Sequence, residues 1–247
     1  MTWVSPYALP LFDPLRRWLD LLPPLPDSLA VAELAEQFPI ATDSGKRLRF
    51  VPPQADGLAY ECRIWANGEV ETRPDNWHDF FNALVWFAFP LTKNAVSARH
   101  VGAMSSSGEP RGTVRDVLTH FDECGIAVLS DNPELLALLR DFQWRQLFVE
   151  RRAEVERNMR FVVFGHATYE GLLKPYRGLT AKAVLYEVDN KWLQLSLEAQ
   201  IAAVDKLLAS DFASGHFARP RDFQPLPLLG IPGVVPENED PAYYDDT

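Results

Sequence analysis

Cysteine is scarce in this chain: Cys62 and Cys124 are the only two in 247 residues, and no C-x-x-C spacing occurs. That excludes a disulfide scaffold, a cysteine-based zinc module and a dithiol redox centre, and both thiols read as reduced groups in a cytoplasmic compartment. Long apolar runs are missing as well. The longest, Ala83 to Leu91, falls far short of the roughly 18 residues a spanning helix needs, so no membrane partner is expected. No basic region precedes an apolar run at the start, where Pro6, Pro10, Asp13 and Pro14 interrupt the chain, which reads as no signal peptide. Positive charge is in deficit. A net charge of −10 opposes attraction to phosphate backbones, so no nucleic-acid partner is expected either. The P-loop, the dinucleotide fingerprint, the G-x-S-x-G elbow, the H-E-x-x-H zincin motif and the EF-hand loop are all absent.

What is present suffices for a packed core: 47% of residues are hydrophobic and 23% charged, ordinary globular usage. Prolines crowd the ends, with six in residues 1–26 and six in residues 220–241. These segments cannot be long helices. Because Trp3, Leu11, Phe12 and Trp18 lie in one, and Leu226, Leu228, Leu229 and Ile231 in the other, they read as extended arms packed against the body. The acidic tail Glu237 to Thr247 reads as looser, with Tyr243 and Tyr244 as anchors.

Between the arms, Ser28 is positioned to cap a helix to Gln37. Tyr60 to Trp65 and Glu69 to Arg73 flank Ala66-Asn67-Gly68, the pattern of a β-hairpin with a tight turn. Asn76 caps a helix to about Phe87, and a second runs from near Thr92 to His100. Residues 103–112 form a polar loop before a helix from Thr113 to Glu123. Ile126–Leu129, Phe161–Phe164 and Ala183–Val188 read as strands. Helices are expected from Asn132-Pro133 to Asp141, from Trp144 to Arg157, from His166 to Leu173 and from a Ser196 cap to Leu208. Arginines between Arg140 and Arg160 alternate with Asp141, Glu150, Glu154 and Glu156, which suits an ion-paired solvated face. The fold class is α+β: one helix-rich domain over residues 1–247, with a small sheet that includes the hairpin and with proline-rich arms at residues 1–26 and 220–247.

The most informative block is Asn76-Trp77-His78-Asp79-Phe80-Phe81-Asn82-Ala83-Leu84. On a helix, His78, Asp79 and Asn82 share one strip, while the residues beyond Asn82 are apolar all round. The strip opens either into a cleft or into a satisfied internal network. As a carboxylate at the third helical position, Asp79 has a structural reading as partner of the Asn76 N–H, and His78 one as a hydrogen-bonded core imidazole. His166 and Glu170 are four apart on one helix face. His100 follows Arg99 at a helix end, where a charge complements the terminus. His120, Asp122 and Glu123 cluster where another helix ends, a place where a solvated face is equally ordinary. Lys174, Arg177 and Lys182 surround Pro175 and Gly178 without any phosphate-loop pattern and read as surface residues.

The blocks Asn76 to Leu84, Phe121-Asp122-Glu123-Cys124-Gly125, Phe164-Gly165-His166-Ala167, Gly178-Leu179-Thr180-Ala181-Lys182 and Asn238-Glu239-Asp240-Pro241 resemble those of a proteobacterial family catalogued only as a domain of unknown function. The resemblance implies one full-length bacterial cytoplasmic domain and supplies no catalytic residue.

The leading functional expectation is a metal-assisted hydrolase of a small or phosphorylated substrate. His78, Asp79, Asn82, Asp122 and Glu123 are its candidate catalytic groups. His78, His100, His166 and Glu170 are its candidate ligands for a divalent ion such as Zn²⁺ or Mn²⁺. Two rivals stand beside it: a non-catalytic binding or scaffold protein in which these groups form a structural network, and a metal-free acid–base enzyme using His78 and Asp79. A small-molecule ligand is the expected partner, and no oligomeric state is assigned.

Overall fold

A computed structural model describes residues 6–105 and 111–245. Trp3 and the middle of the expected 103–112 loop lie outside the described residues. Two 3₁₀ turns, Pro6–Ala8 and Pro10–Leu15, lead into α1 (Arg16–Leu19) and α2 (Ser28–Gln37). Next come β1 (Arg49–Val51), α3 (Tyr60–Asn67), β2 (Glu69–Glu71), α4 (Trp77–Ala88), α5 (Pro90–Ser105) and α6 (Arg111–Cys124). The second half holds β3 (Gly125–Ser130), α7 (Pro133–Arg140), α8 (Arg152–Asn158), β4 (Met159–Val163), α9 (His166–Leu172) and β5 (Thr180–Glu187). It closes with α10 (Asn190–Leu193), α11 (Leu197–Ser214) and β6 (Gln224–Pro227). Helix takes 58% and strand 13% of the described residues, which makes this a helix-rich α+β fold.

The larger sheet has the order β4-β3-β5-β6. Its centre is β3, antiparallel to β4 and parallel to β5, and all six of its residues are buried. A strand covered on both faces reads as the continuous apolar run seen at Ile126 to Leu129. On one edge, β6 pairs with β5 through residues that include Pro225 and Pro227, and proline suits an edge that must not recruit another strand. Buried side chains from Tyr7 to Tyr244 join one hydrophobic cluster. Near its middle lies α4, buried without interruption from Asp79 to Phe87.

The expected hairpin at residues 60–73 is not formed. Tyr60–Asn67 is helical, Gly68 takes the left-handed conformation at φ 71° and donates its N–H to the Ile64 carbonyl, and β2 runs parallel to β1. Asn-Gly serves a helix end as well as a tight turn: the hairpin turn needs two positive φ values, a helix C-terminus only one. A side chain at Gly68 would also overlap the Arg47 carbonyl oxygen. Burial follows the helical period, placing Arg63 and Ile64 inward together. Arg63, 1% exposed, ties α3 to β2 through Asp56, Glu69 and Glu71.

The arms pack as expected, though not in extended form throughout. The first coils into 3₁₀ turns whose Phe12 ring sits 5.9 Å from Phe81 and 5.4 Å from Tyr169. Rather than hanging loose, the acidic tail is anchored: Asn238 donates to the Leu229 and Ile231 carbonyls, and the Tyr244 hydroxyl donates to Gly230. Two local expectations move slightly. Asp27 rather than Ser28 caps α2, and the stretch from Trp144 to Arg157 is broken at Arg151 into a π turn followed by α8. The arginines there are ion-paired, Arg151 with Glu134 and Glu154, Arg152 with Glu156 and Glu239. Arg177 lies over the Tyr243 ring, 4.7 Å from its centroid. Asp205 of α11 accepts the Leu91 and Thr92 N–H groups and the Thr92 hydroxyl. It thereby supplies from another helix the cap that Pro90 leaves missing at the start of α5.

Candidate metal centre

Three helix ends meet in one cleft of about 280 Å³. The first turn of α4 contributes His78, the last turn of α6 contributes Asp122 and Glu123, and the start of α9 contributes His166. Gly165 sets their spacing. It packs so closely on the junction of α6 and β3 that a side chain there would collide with the Glu123 carbonyl and the Gly125 amide. Phe164 and Gly165 both donate their N–H to the Gly125 carbonyl, at 2.9 and 2.8 Å.

His78 Nε2 and His166 Nε2 lie 3.0 Å apart. Glu123 reaches them at 3.9 and 3.6 Å, and the three donor atoms all fall within 4.8 Å of one another. With metal–nitrogen bonds of about 2.05 Å, two nitrogens at this separation subtend about 95° at an ion, between the tetrahedral and octahedral angles or close to the latter. The outer nitrogens carry the second half of the pattern. His78 Nδ1 is 3.1 Å from Glu170 Oε2, and His166 Nδ1 is 3.7 Å from Asp122 Oδ2. The Glu170 carboxylate is within hydrogen-bond distance and favours a proton on His78 Nδ1, whereas Asp122 lies beyond hydrogen-bond distance of His166 Nδ1 and acts on that ring through its charge.

That arrangement makes sense of an otherwise awkward contact. A neutral imidazole has one N–H. If His166 placed it on Nε2 to bond His78, its buried Nδ1, which has no hydrogen-bond partner, would turn a lone pair toward a carboxylate. If both rings keep the proton on Nδ1, two lone pairs face each other at 3.0 Å, a conflict that either a cation between them or a second proton on His78, donated from Nε2 to His166, removes. Burial holds the His166 imidazole neutral, down to about 3, the protonation state a ligand needs.

The remaining sequence candidates separate into different roles. Asp79 does not bond the Asn76 N–H as expected. Its two oxygens accept from Arg73 N, Nε and Nη2 at 2.8, 2.8 and 2.9 Å, while Asn76 caps Asp79 N. Asn82 accepts from Lys93 Nζ at 2.9 Å and donates to the Tyr60 hydroxyl at 2.8 Å. Asp122 is bound by the same Lys93 at 2.7 and 2.9 Å. Burial alone would raise the Asp122 carboxyl, but Lys93 and the neighbouring histidines hold it below its ordinary value. His100 lines the cleft outside the three-donor group, Glu170 lies behind His78, and His120 is exposed and faces no part of the cleft.

Lys93, Tyr60, Glu61 and Arg73 were not singled out from the sequence. Lys93, Ser97 and His100 follow the i, i+4, i+7 spacing of one helix face, the one signal that reveals a polar stripe turned inward on α5. Glu61 was concealed by the hairpin reading of α3.

A family model described as a protein of unknown function, DUF3025, matches residues 48–247, well over half of the chain. The chain belongs to that family. His78, Glu123, His166 and Glu170 all lie in the part the DUF3025 model covers, whereas the first proline-rich arm precedes it. No curated protein and no solved structure matches the chain. Among the described residues, no helix is long and apolar enough to cross a membrane.

His100 carries a pH prediction of its own. Burial lowers it to about 4, with Lys93, Arg115 and Arg99 acting in the same direction and Asp122 opposing. A histidine whose folded value lies below its unfolded one stabilises the fold above the unfolded value, and that contribution disappears as pH falls toward the folded value. Metal-free protein should therefore lose about 3 kcal/mol from this group between pH 6.5 and 4. In urea titrations across that range, His100→Gln should show a shallower loss than the parent. Equal slopes would mean that His100 is solvated.

Proposed function

We propose that this protein is a metal-assisted hydrolase of a small substrate, with His78, His166 and Glu123 holding one divalent ion. The supporting observation is the convergence of two Nε2 atoms and a carboxylate on one point of a cleft, with Glu170 and Asp122 behind the imidazoles. Three protein ligands leave coordination positions open, the pattern of catalytic rather than structural sites. An ion there would polarise the bond to be cleaved and acidify a water. Glu123, ligating through one oxygen, keeps a second to accept the water's proton. The water oxygen bonds the electrophilic atom, and the leaving group departs with the electrons of the broken bond and takes up a proton.

One observation favours the scaffold reading for part of the cluster. Asp79, Asn82, Asp122, Lys93 and Arg73 satisfy one another, as a structural network does. The metal-free pair draws less support, since Arg73 occupies both oxygens of Asp79 and none bonds His78.

The test combines elemental analysis of protein purified without a histidine tag with turnover of activated esters, anilides and phosphate esters. Chelated protein resupplied with Zn²⁺ or Mn²⁺ is expected to hydrolyse at least one class. His78→Ala and His166→Ala should reduce that turnover about a thousandfold or more. Protein without metal and without metal-stimulated turnover would leave the scaffold reading as the better account.

A further inference from the structure

Three cations near the cleft, Arg73, Lys93 and Arg63, are already engaged. Arg73 gives Nε and Nη2 to Asp79. Lys93 is bound by Asn82 and Asp122. Arg63 is surrounded by Asp56, Glu69 and Glu71. The first turn of α4, another place where an anion could settle, is closed by the Asn76 side chain. A phosphoryl group is recognised by arginine forks, lysines or open helix N-termini, and among the described residues the one arginine or lysine lining this cleft, Arg73, is given to Asp79.

The acids are distributed differently. Of those lining the cleft, Asp79 and Asp122 are paired, Glu71 is held by Arg63 Nε at 3.0 Å and by the Gln54 N–H at 2.9 Å, and Glu123 belongs to the ion. Glu61 is left. It stands in the first turn of α3 and faces the same cleft as His78 and His166, with Ser97 beside it. Among the described residues no ion pair engages it. Resting on the metal-assisted reading above, we propose that the substrate carries a primary amine or another cationic nitrogen, held by Glu61 next to the bond that is hydrolysed, and that it is not a phosphate ester.

The state of Glu61 fits this role. Burial, with Asp122 adding to it, pushes the carboxyl up to about 7 although Lys93, Ser97 and Arg115 act in the other direction, so what it lacks is a directly paired cation. A bound ammonium would supply that cation and form a charge-assisted hydrogen bond, stronger than a neutral one.

The test uses full-length protein loaded with one equivalent of Zn²⁺ and freed of excess metal. Calorimetry compares the hydroxamates of glycine, β-alanine and γ-aminobutyric acid with their uncharged alkyl counterparts, the hydroxamate engaging the ion in both series. At least one amino hydroxamate is expected to bind about tenfold or more tighter than its alkyl partner. Glu61→Gln should erase that ratio while keeping the alkyl hydroxamate affinity, which also shows that the variant is folded. Inorganic phosphate should compete with neither series at equal concentration. Equal affinity of the two series, an unchanged ratio in Glu61→Gln, or effective competition by phosphate would overturn the proposal while leaving the metal reading in place. Protein that retains no Zn²⁺ removes both.

Discussion

Chelated protein titrated with Zn²⁺ or Mn²⁺ should become more stable, by about 2.7 kcal/mol at a hundredfold excess over the dissociation constant, because the ligands converge only in the folded chain. His78→Ala, His166→Ala and Glu123→Ala should each abolish that increment. Glu170→Gln is expected to act more mildly. It removes the carboxylate behind His78 Nδ1, 3.1 Å away, and such outer partners alter affinity by about 10–100-fold, so at the same metal concentration roughly half or more of the increment disappears. His100→Ala separates the geometry from the sequence pattern. His100 is a plausible ligand by composition, yet it stands outside the three-donor group, and its variant should keep the full metal response. His216→Ala, next to Phe217 and remote from the cleft lining, should keep it too. Thermal-shift and urea measurements on the same samples give these values, and a parent protein indifferent to both metals removes the site.

The parts of this fold that were legible before the structure are those fixed locally. Asn76, Asn132 and Ser196 cap the helices that follow them, because a side chain and an N–H two or three residues on decide the matter. The apolar run around Ile126 marks the central strand, since burial on both faces leaves no room for alternation. Asn67-Gly68 misled because a local signal was shared by two structures, and the choice was made elsewhere: the Arg63 guanidinium had to reach Asp56, Glu69 and Glu71 together. Of the site, His78 and His166 drew notice as histidines at helix starts, whereas their meeting depends on Gly165 pressing against the end of α6. That close approach joins residues 88 positions apart in sequence and leaves no periodic trace.

The same distinction governs Lys93, whose sequence surroundings, Thr92-Lys93-Asn94, look like a solvated helix start although its side chain is 4% exposed. The ammonium bonds both oxygens of Asp122 and Oδ1 of Asn82, and lies 5.4 Å from the centroid of the Trp86 ring. Replacing it with methionine keeps most of the volume but strands a carboxylate whose side chain is 15% exposed. Removing one partner of such a pair costs about 3–5 kcal/mol, more than the pair itself contributes, because the remaining charge has lost its compensation. Lys93→Met should therefore destabilise the metal-free protein by that amount at pH 7. The loss should shrink in acid, because Asp122 without its lysine is no longer held below the ordinary carboxylate range and is neutralised by a proton. Adding Asp122→Asn removes the stranded charge directly and should recover most of the loss, a coupling that separates charge compensation from a simple packing defect. Urea unfolding of the parent, the two single variants and the double variant measures that coupling. A double variant no more stable than Lys93→Met would place the loss in packing against Trp86 instead. Because Asp122 also lies 3.7 Å from His166 Nδ1, it is Asp122→Asn, which removes that carboxylate, that should weaken binding at the proposed metal site by about tenfold, so the same set of variants tests the buried pair and the site it borders.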